Sequence, residues 1–145
     1  MSEASRDQFW RRAGEFSPVP VVHYNTGWSH YVFGAADYRR ILELVPNLAT
    51  VKWTTRDIAH VSELRNTVPQ LAVYVSEEIF APAMALGAAG CCSAVVNMNP
   101  AFMLEWYHWC RRGSWSKAFE RQRRLAVLSG SAGTDRGGRP SSRGR

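Results

Sequence analysis

The feature that most constrains the fold is a short apolar run that ends in polar residues and recurs along the chain, each time followed by a helical segment. The runs cover 18–25, 48–53, 71–76 and 91–95. Strands that alternate with helices in this way are typical of βα units in a parallel sheet. The carboxyl ends of parallel strands meet at one edge of the sheet, where ligands bind. Tyr24 and Lys52, near the ends of the first two runs, are therefore expected at the same end of the sheet.

The segments between and around these runs have the apolar periodicity of helices. The predicted helices cover 4–15, 37–45, 57–64, 79–86, 97–110 and 116–128. Asp37 and Asp57 are predicted to cap the second and third of them. No GxGxxG glycine pattern follows the first strand, so four βα units favour part of a (β/α)8 barrel over a dinucleotide-binding fold. Four units make half of such a barrel.

The basic excess of the chain is confined to its C-terminal end. Residues 1–110 hold 8 Lys and Arg against 10 Asp and Glu, whereas residues 111–145 hold 10 against 2. We expect one domain over 1–128, followed by a disordered basic tail over 129–145, because the tail lacks apolar periodicity and is rich in Gly, Ser and Arg. Nucleic-acid binding through this tail ranks last among the alternatives, because no aromatic residues lie between its arginines.

No apolar run approaches the roughly 18–20 residues that span a bilayer, and residues 1–7 lack the regions of a signal peptide. These patterns favour a soluble, cytoplasmic protein with no membrane partner. The cysteines Cys91, Cys92 and Cys110 form no CxxC pair and have no metal-ligand spacing with the histidines. We expect reduced cysteines that fill space in the core, and no metal site.

Lys52 is the leading candidate for a reactive group. Removing an ammonium group from water is costly, so an apolar strand that ends in a lysine invites a chemical explanation. A structural alternative is that Lys52 extends from the strand end to solvent. Tyr24 alone would more often be a buried tyrosine with a satisfied hydroxyl. In the aromatic loop after Tyr24, Ser29 and His30 are candidate substrate contacts.

From Val19 to about Arg124 the chain resembles the dihydrodipicolinate synthase and N-acetylneuraminate lyase family of class I aldolases. The resemblance rests on Tyr24-Asn25, Val51-Lys52 followed by Thr55 and Asp57, the turn 85–90 leading to Ser93, and Asn97 with Pro100. It implies a (β/α)8 barrel, of which this chain would be the C-terminal half. It also implies a lyase or aldolase that acts on pyruvate or another 2-oxo acid without a metal or dissociable cofactor.

The resemblance assigns roles to matching positions. Lys52 corresponds to the lysine that forms a Schiff base with the 2-oxo acid, and Tyr24 to the tyrosine that relays protons. The backbone around Cys92 corresponds to the place where the family holds the substrate near its carboxylate. The loop after Tyr24 lacks the arginine that binds a second carboxylate in dihydrodipicolinate synthases. Trp53 and Arg56 depart from the family pattern, which suggests an aromatic or bulkier second substrate.

A half-barrel exposes two sheet edges and an apolar face. We therefore expect either a homo-oligomer or another chain that supplies the missing N-terminal half, or else a truncated product of a split gene. The alternative to an enzyme is a non-catalytic remnant that acts as a subunit-interaction module.

Overall fold

A computed structural model describes residues 2–29 and 31–133, with side chains described as far as residue 126. The helices are α1 (Glu3–Phe16), α2 (Ala35–Leu44), α3 (Ala59–Thr67), α4 (Phe80–Ala85), α5 (Pro100–Arg111) and α6 (Trp115–Gly133). The strands are β1 (Val21–Thr26), β2 (Leu48–Thr54), β3 (Ala72–Val75) and β4 (Gly90–Cys91). Two short 3-10 helices, Glu77–Ile79 and Ala94–Asn97, follow β3 and β4.

The four strands form one parallel sheet in the order β1-β2-β3-β4. Each strand is followed by a helical segment, so the predicted α/β class with four βα units is confirmed. One register row crosses the whole sheet through Tyr24, Lys52, Tyr74 and Gly90. Because register partners in a sheet point to the same face, this row defines a common surface, which we call the cleft face.

The opposite face of the sheet is buried beneath the helices. Val51, Val73 and Val75 are fully buried there, and Trp53 is 2% exposed. The Trp53 ring stacks on His60 with 4.7 Å between ring centroids. Trp53 therefore lies on the other side of β2 from Lys52, and its side chain is not available to a ligand on the cleft face. Successive residues of a strand alternate between faces, which is the physical reason.

Several predicted boundaries differ from the structure. The fourth strand is Gly90–Cys91 rather than 91–95, because Ser93 turns the chain into a 3-10 helix by accepting a 3.0 Å hydrogen bond from the Val95 amide. Asp37 lies in the first turn of α2 rather than before it, and its carboxylate accepts a 2.8 Å hydrogen bond from the Gly34 amide.

The last helix, α6, runs to Gly133, so residues 129–133 of the predicted tail are helical, while 134–145 lie outside the described residues. Within the described part of the chain, no helix is both long enough and apolar enough to cross a membrane.

Candidate functional site

Lys52 and Tyr24 are neighbours on the cleft face, near the carboxyl ends of β1 and β2. Their Cα atoms are register partners, and the Lys52 ammonium lies 4.5 Å from the centroid of the Tyr24 ring. This is the contact range of a cation–π pair. The structure therefore brings together the two side chains that the sequence placed at one end of the sheet.

Thr54 links the polar ends of this pair. It lies two residues after Lys52 on β2, hence on the same face, and its Oγ1 accepts a 2.6 Å hydrogen bond from Lys52 Nζ. The Thr54 hydroxyl, by hydrogen bonding, is the largest cause that lowers the pKa of the Tyr24 phenol, and the positive charge of Lys52 lowers it further. A phenol with a lowered pKa exchanges its proton more readily near neutral pH.

These groups open into a cleft of about 640 Å³ at the carboxyl end of the sheet. Its lining residues come from all four strand ends and the loops that follow them: Tyr24, Trp28, Lys52, Thr54, Ser76, Glu77, Glu78, Cys92 and Ala94. Lys52 is partly buried, and Tyr24 is 50% exposed. The cleft is therefore a solvated groove that leaves room for a small ligand beside the amine.

The carboxyl end of β3 supplies hydroxyl and carboxylate groups to the cleft. Ser76 is 8% exposed, and its hydroxyl has no hydrogen-bond partner within the described residues. The Glu78 carboxylate accepts two hydrogen bonds from Arg56, of 2.7 Å and 3.1 Å. Arg56 is the largest cause that lowers the pKa of Glu78. The Arg56 guanidinium is thus engaged by a carboxylate of the protein itself.

Asn25 fixes the loop between β1 and α2 at the mouth of the cleft. It is 1% exposed, its Nδ2 donates a 2.8 Å hydrogen bond to the Phe33 carbonyl, and its Oδ1 accepts a 3.1 Å hydrogen bond from the Phe33 amide. A buried amide that satisfies both ends in this way determines where the loop leaves the strand and where it returns.

Of the three predicted substrate contacts, Cys92, Ser29 and His30, the structure places Cys92 in the lining of the cleft. The Cys92 backbone amide donates a 2.9 Å hydrogen bond to the Val75 carbonyl and is engaged within the sheet. The Ser29 hydroxyl lies 2.6 Å and 2.8 Å from the carbonyl oxygens of Thr26 and Tyr31, and Ser29 does not line the cleft. His30 lies outside the described residues.

Sequence reasoning gave no substrate role to Trp28, Thr54, Ser76 or Glu77, all of which line the cleft. A signal for two of them was present in the chain. Thr54 lies two residues beyond Lys52 and Ser76 two beyond Tyr74, so the alternation of a strand places them on the cleft face. Within the described residues, no group of three or more His, Cys, Asp or Glu side chains could hold a metal ion.

Comparison with known proteins identifies the family. The sequence model of the Dihydrodipicolinate synthetase family matches residues 2–132. The chain belongs to this family. The 4-hydroxy-tetrahydrodipicolinate synthase of Sphingopyxis alaskensis is 26% identical over 121 residues, which cover 82% of this chain and 42% of that protein. The chain thus spans less than half the length of the curated relatives that it matches.

Solved structures of this family share the fold. A Pseudomonas aeruginosa protein that carries the name dihydrodipicolinate synthetase superimposes with a TM-score of 0.81 at 30% identity, over 88% of this chain and 45% of that one. The prophage protein YagE of E. coli K12, solved in complex with pyruvate, gives a TM-score of 0.81 at 22% identity over the same shares. Proteins of this family are TIM barrels, so the four βα units described here form part of a barrel architecture.

Proposed function

We propose that this chain carries the reactive centre of a Schiff-base-forming lyase or aldolase that acts on pyruvate or another 2-oxo acid. The observation that carries the proposal is the Lys52–Tyr24 pair in the cleft at the carboxyl end of the parallel sheet. The two residues are register partners, and the Lys52 amine lies 4.5 Å from the centroid of the Tyr24 ring. Family membership supports the proposal, and solved structures that share the fold include an N-acetylneuraminate lyase and a 2-keto-3-deoxygluconate aldolase.

The chemistry follows from the groups in the cleft. The Lys52 amine attacks the C2 carbonyl of the 2-oxo acid, and loss of water leaves an imine. The protonated imine nitrogen accepts the electron pair released when the C3–C4 bond breaks, while the hydroxyl proton on C4 leaves and an aldehyde departs. Tyr24 is the group within reach that can relay this proton, and its lowered pKa suits that role. Condensation is the same path in reverse.

The experiment is trapping of the imine. The full chain is incubated with pyruvate and sodium borohydride, and peptide mass spectrometry locates the reduced adduct. We expect one pyruvate on Lys52 and none in Lys52→Arg. The chain contains one other lysine, Lys117, so Lys117→Arg is the matched control and keeps the adduct. In Tyr24→Phe we expect the rate of adduct formation to fall by about 10²-fold, because one general acid–base group is lost.

A second candidate function is that of a non-catalytic half-barrel that serves as an interaction module. The observation that favours it is the openness of the cleft face, where Val22 is 62% exposed although it is an apolar strand residue. Large exposed apolar surfaces mark protein contacts. A wild-type sample that is folded by circular dichroism and forms no pyruvate adduct would contradict the lyase and support this alternative. This alternative includes assembly with a second copy, or with a partner chain that supplies the other half of a barrel, and sedimentation analysis tests for both.

A further inference from the structure

Trp28 is the residue through which the loop after β1 reaches the cleft. Its side chain is 88% exposed, and it lines the same cleft as Lys52 and Thr54. A large aromatic side chain left in water offers contact area and a flat face to a ligand, at a low cost in conformational entropy. Within the described residues, no aromatic ring or cation contacts the indole.

The loop holds Trp28 in this place through its own hydrogen bonds. The Trp28 amide donates a 3.4 Å hydrogen bond to Thr26 Oγ1, and the Ser29 hydroxyl lies within hydrogen-bonding distance of the Thr26 carbonyl. The side chain of Ser29 is thus engaged within the loop. Among the described residues of this loop, Trp28 is the one that lines the cleft.

The charges of the cleft restrict what can lie against Trp28. Among the described lining residues, Lys52 is the one basic side chain, and in the adduct its nitrogen is bonded to C2 of the 2-oxo acid. Arg56, the cation nearest to the carboxylates, is paired with Glu78 through two hydrogen bonds. Glu77 adds a further carboxylate to the lining. A second carboxylate on a substrate would therefore meet the Glu77 carboxylate and, among the described lining residues, no cation other than the imine nitrogen, which costs binding energy.

From these two observations we infer that the second reactant is an uncharged aldehyde with an apolar or aromatic substituent, and that Trp28 is the specificity-determining residue that contacts this substituent. The inference rests on the proposed function, because the aldehyde is the partner that the Lys52 imine releases or accepts. Trp28 lies on the loop beyond β1, toward the mouth of the cleft, so it meets the part of the adduct that extends away from the imine.

The experiment compares two 2-oxo acids that extend beyond the imine carbon by a phenyl group or by a carboxylate. Borohydride trapping on Lys52 is measured against concentration for 2-oxo-4-phenylbutanoate and for 2-oxoglutarate. We expect wild type to be half-saturated at a lower concentration of the phenyl acid. In Trp28→Ala the ratio of the two half-saturating concentrations should shift by about tenfold against the phenyl acid, the size of one lost aromatic contact. Trp28→Phe should restore most of the preference.

The matched control is Phe16→Ala. Phe16 is another exposed ring, 81% exposed at the end of α1, and it does not line the cleft. We expect this variant to leave the ratio of the two half-saturating concentrations unchanged. An equal response of both acids to Trp28→Ala would overturn the inference while the pyruvate adduct still supports the lyase.

A second measurement separates the two failures. Benzaldehyde is titrated into the wild-type chain, and the indole N–H signal of Trp28, assigned by its loss in Trp28→Phe, is followed by NMR. If no 2-oxo acid forms an adduct, the proposed lyase fails and the second reactant with it, and this titration then decides only whether Trp28 contacts an aromatic aldehyde. A shift of the Trp28 signal supports an aromatic contact, and an unchanged signal overturns it.

Discussion

The stability of this domain should fall steeply in mild acid because of His23. The His23 ring lies between α1 and the loop before α2, with Trp10 4.8 Å and Phe33 4.9 Å away between ring centroids. Its Nδ1 is 2.8 Å from the Tyr38 hydroxyl. Burial among these rings lowers the pKa of His23 from 6.5 to about 4. The imidazole is therefore neutral in the folded protein at pH values where the unfolded chain is already protonated.

The magnitude follows from linkage between protonation and folding. Between pH 6.5 and about pH 4 the unfolded state binds a proton that the folded state does not, so the free energy of unfolding falls as pH falls through this window. Each pKa unit corresponds to about 1.4 kcal/mol, which gives about 3.4 kcal/mol for the full shift. The ring keeps partial contact with solvent, and screening reduces this to about 2 kcal/mol.

The assay is urea unfolding of wild type and His23→Gln at several pH values from 7 to 4. Glutamine stays uncharged and can still hydrogen-bond to the Tyr38 hydroxyl, so the variant should lose about 2 kcal/mol less than wild type over this range. The difference between the two proteins removes the contributions of the carboxylates. Equal pH dependence in both proteins, or an NMR titration midpoint of His23 near 6.5, would refute the reasoning.

Three further substitutions have defined outcomes in urea unfolding. Gly90→Ala places a Cβ 2.8 Å from Cε1 of the Tyr74 ring, so we expect a loss of about 2 kcal/mol that the double variant with Tyr74→Leu largely recovers. Gln122→Leu removes a hydrogen bond that the side chain accepts from the Ala81 amide and two that it donates to the carbonyls of Glu77 and Glu78. We expect the free energy of unfolding to fall by about 2–3 kcal/mol, and an unchanged urea midpoint would contradict this. Ser76→Ala removes a buried hydroxyl that has no partner among the described residues and should raise the free energy of unfolding by about 1 kcal/mol, so destabilisation would show that the hydroxyl is satisfied.

The order of strands and helices in this domain could be predicted because parallel βα units leave a strong periodic pattern in the sequence. Apolar runs that end in polar residues predicted the four strands. Because parallel strands share a carboxyl edge, the sequence also predicted that Lys52 and Tyr24 lie close together. The same alternation also placed Trp53 on the opposite face from Lys52. The burial of Trp53 beneath the helices follows from that alternation.

The loops and the ends of strands were beyond the reach of periodicity. The short β4 depends on the Ser93 hydroxyl turning the chain, and the path of the loop after β1 depends on the buried Asn25 amide. In the same loop, Ser29 and His30 were the predicted contacts. Ser29 does not line the cleft, whereas Trp28 does, and His30 lies outside the described residues. Neighbouring residues in an irregular loop have no fixed period that says which of them faces a ligand.

The sequence by itself determined the order of the strands and the polar residues near their carboxyl ends, including the Lys52 amine and the Tyr24 phenol. Only the tertiary structure decided which other groups surround this pair. They are the buried Ser76 hydroxyl, the Arg56–Glu78 ion pair and the exposed Trp28 indole. Strand periodicity is set by local backbone geometry, which the residue order encodes directly. Burial and charge pairing arise between segments far apart in the chain, so they exist only once those segments have packed.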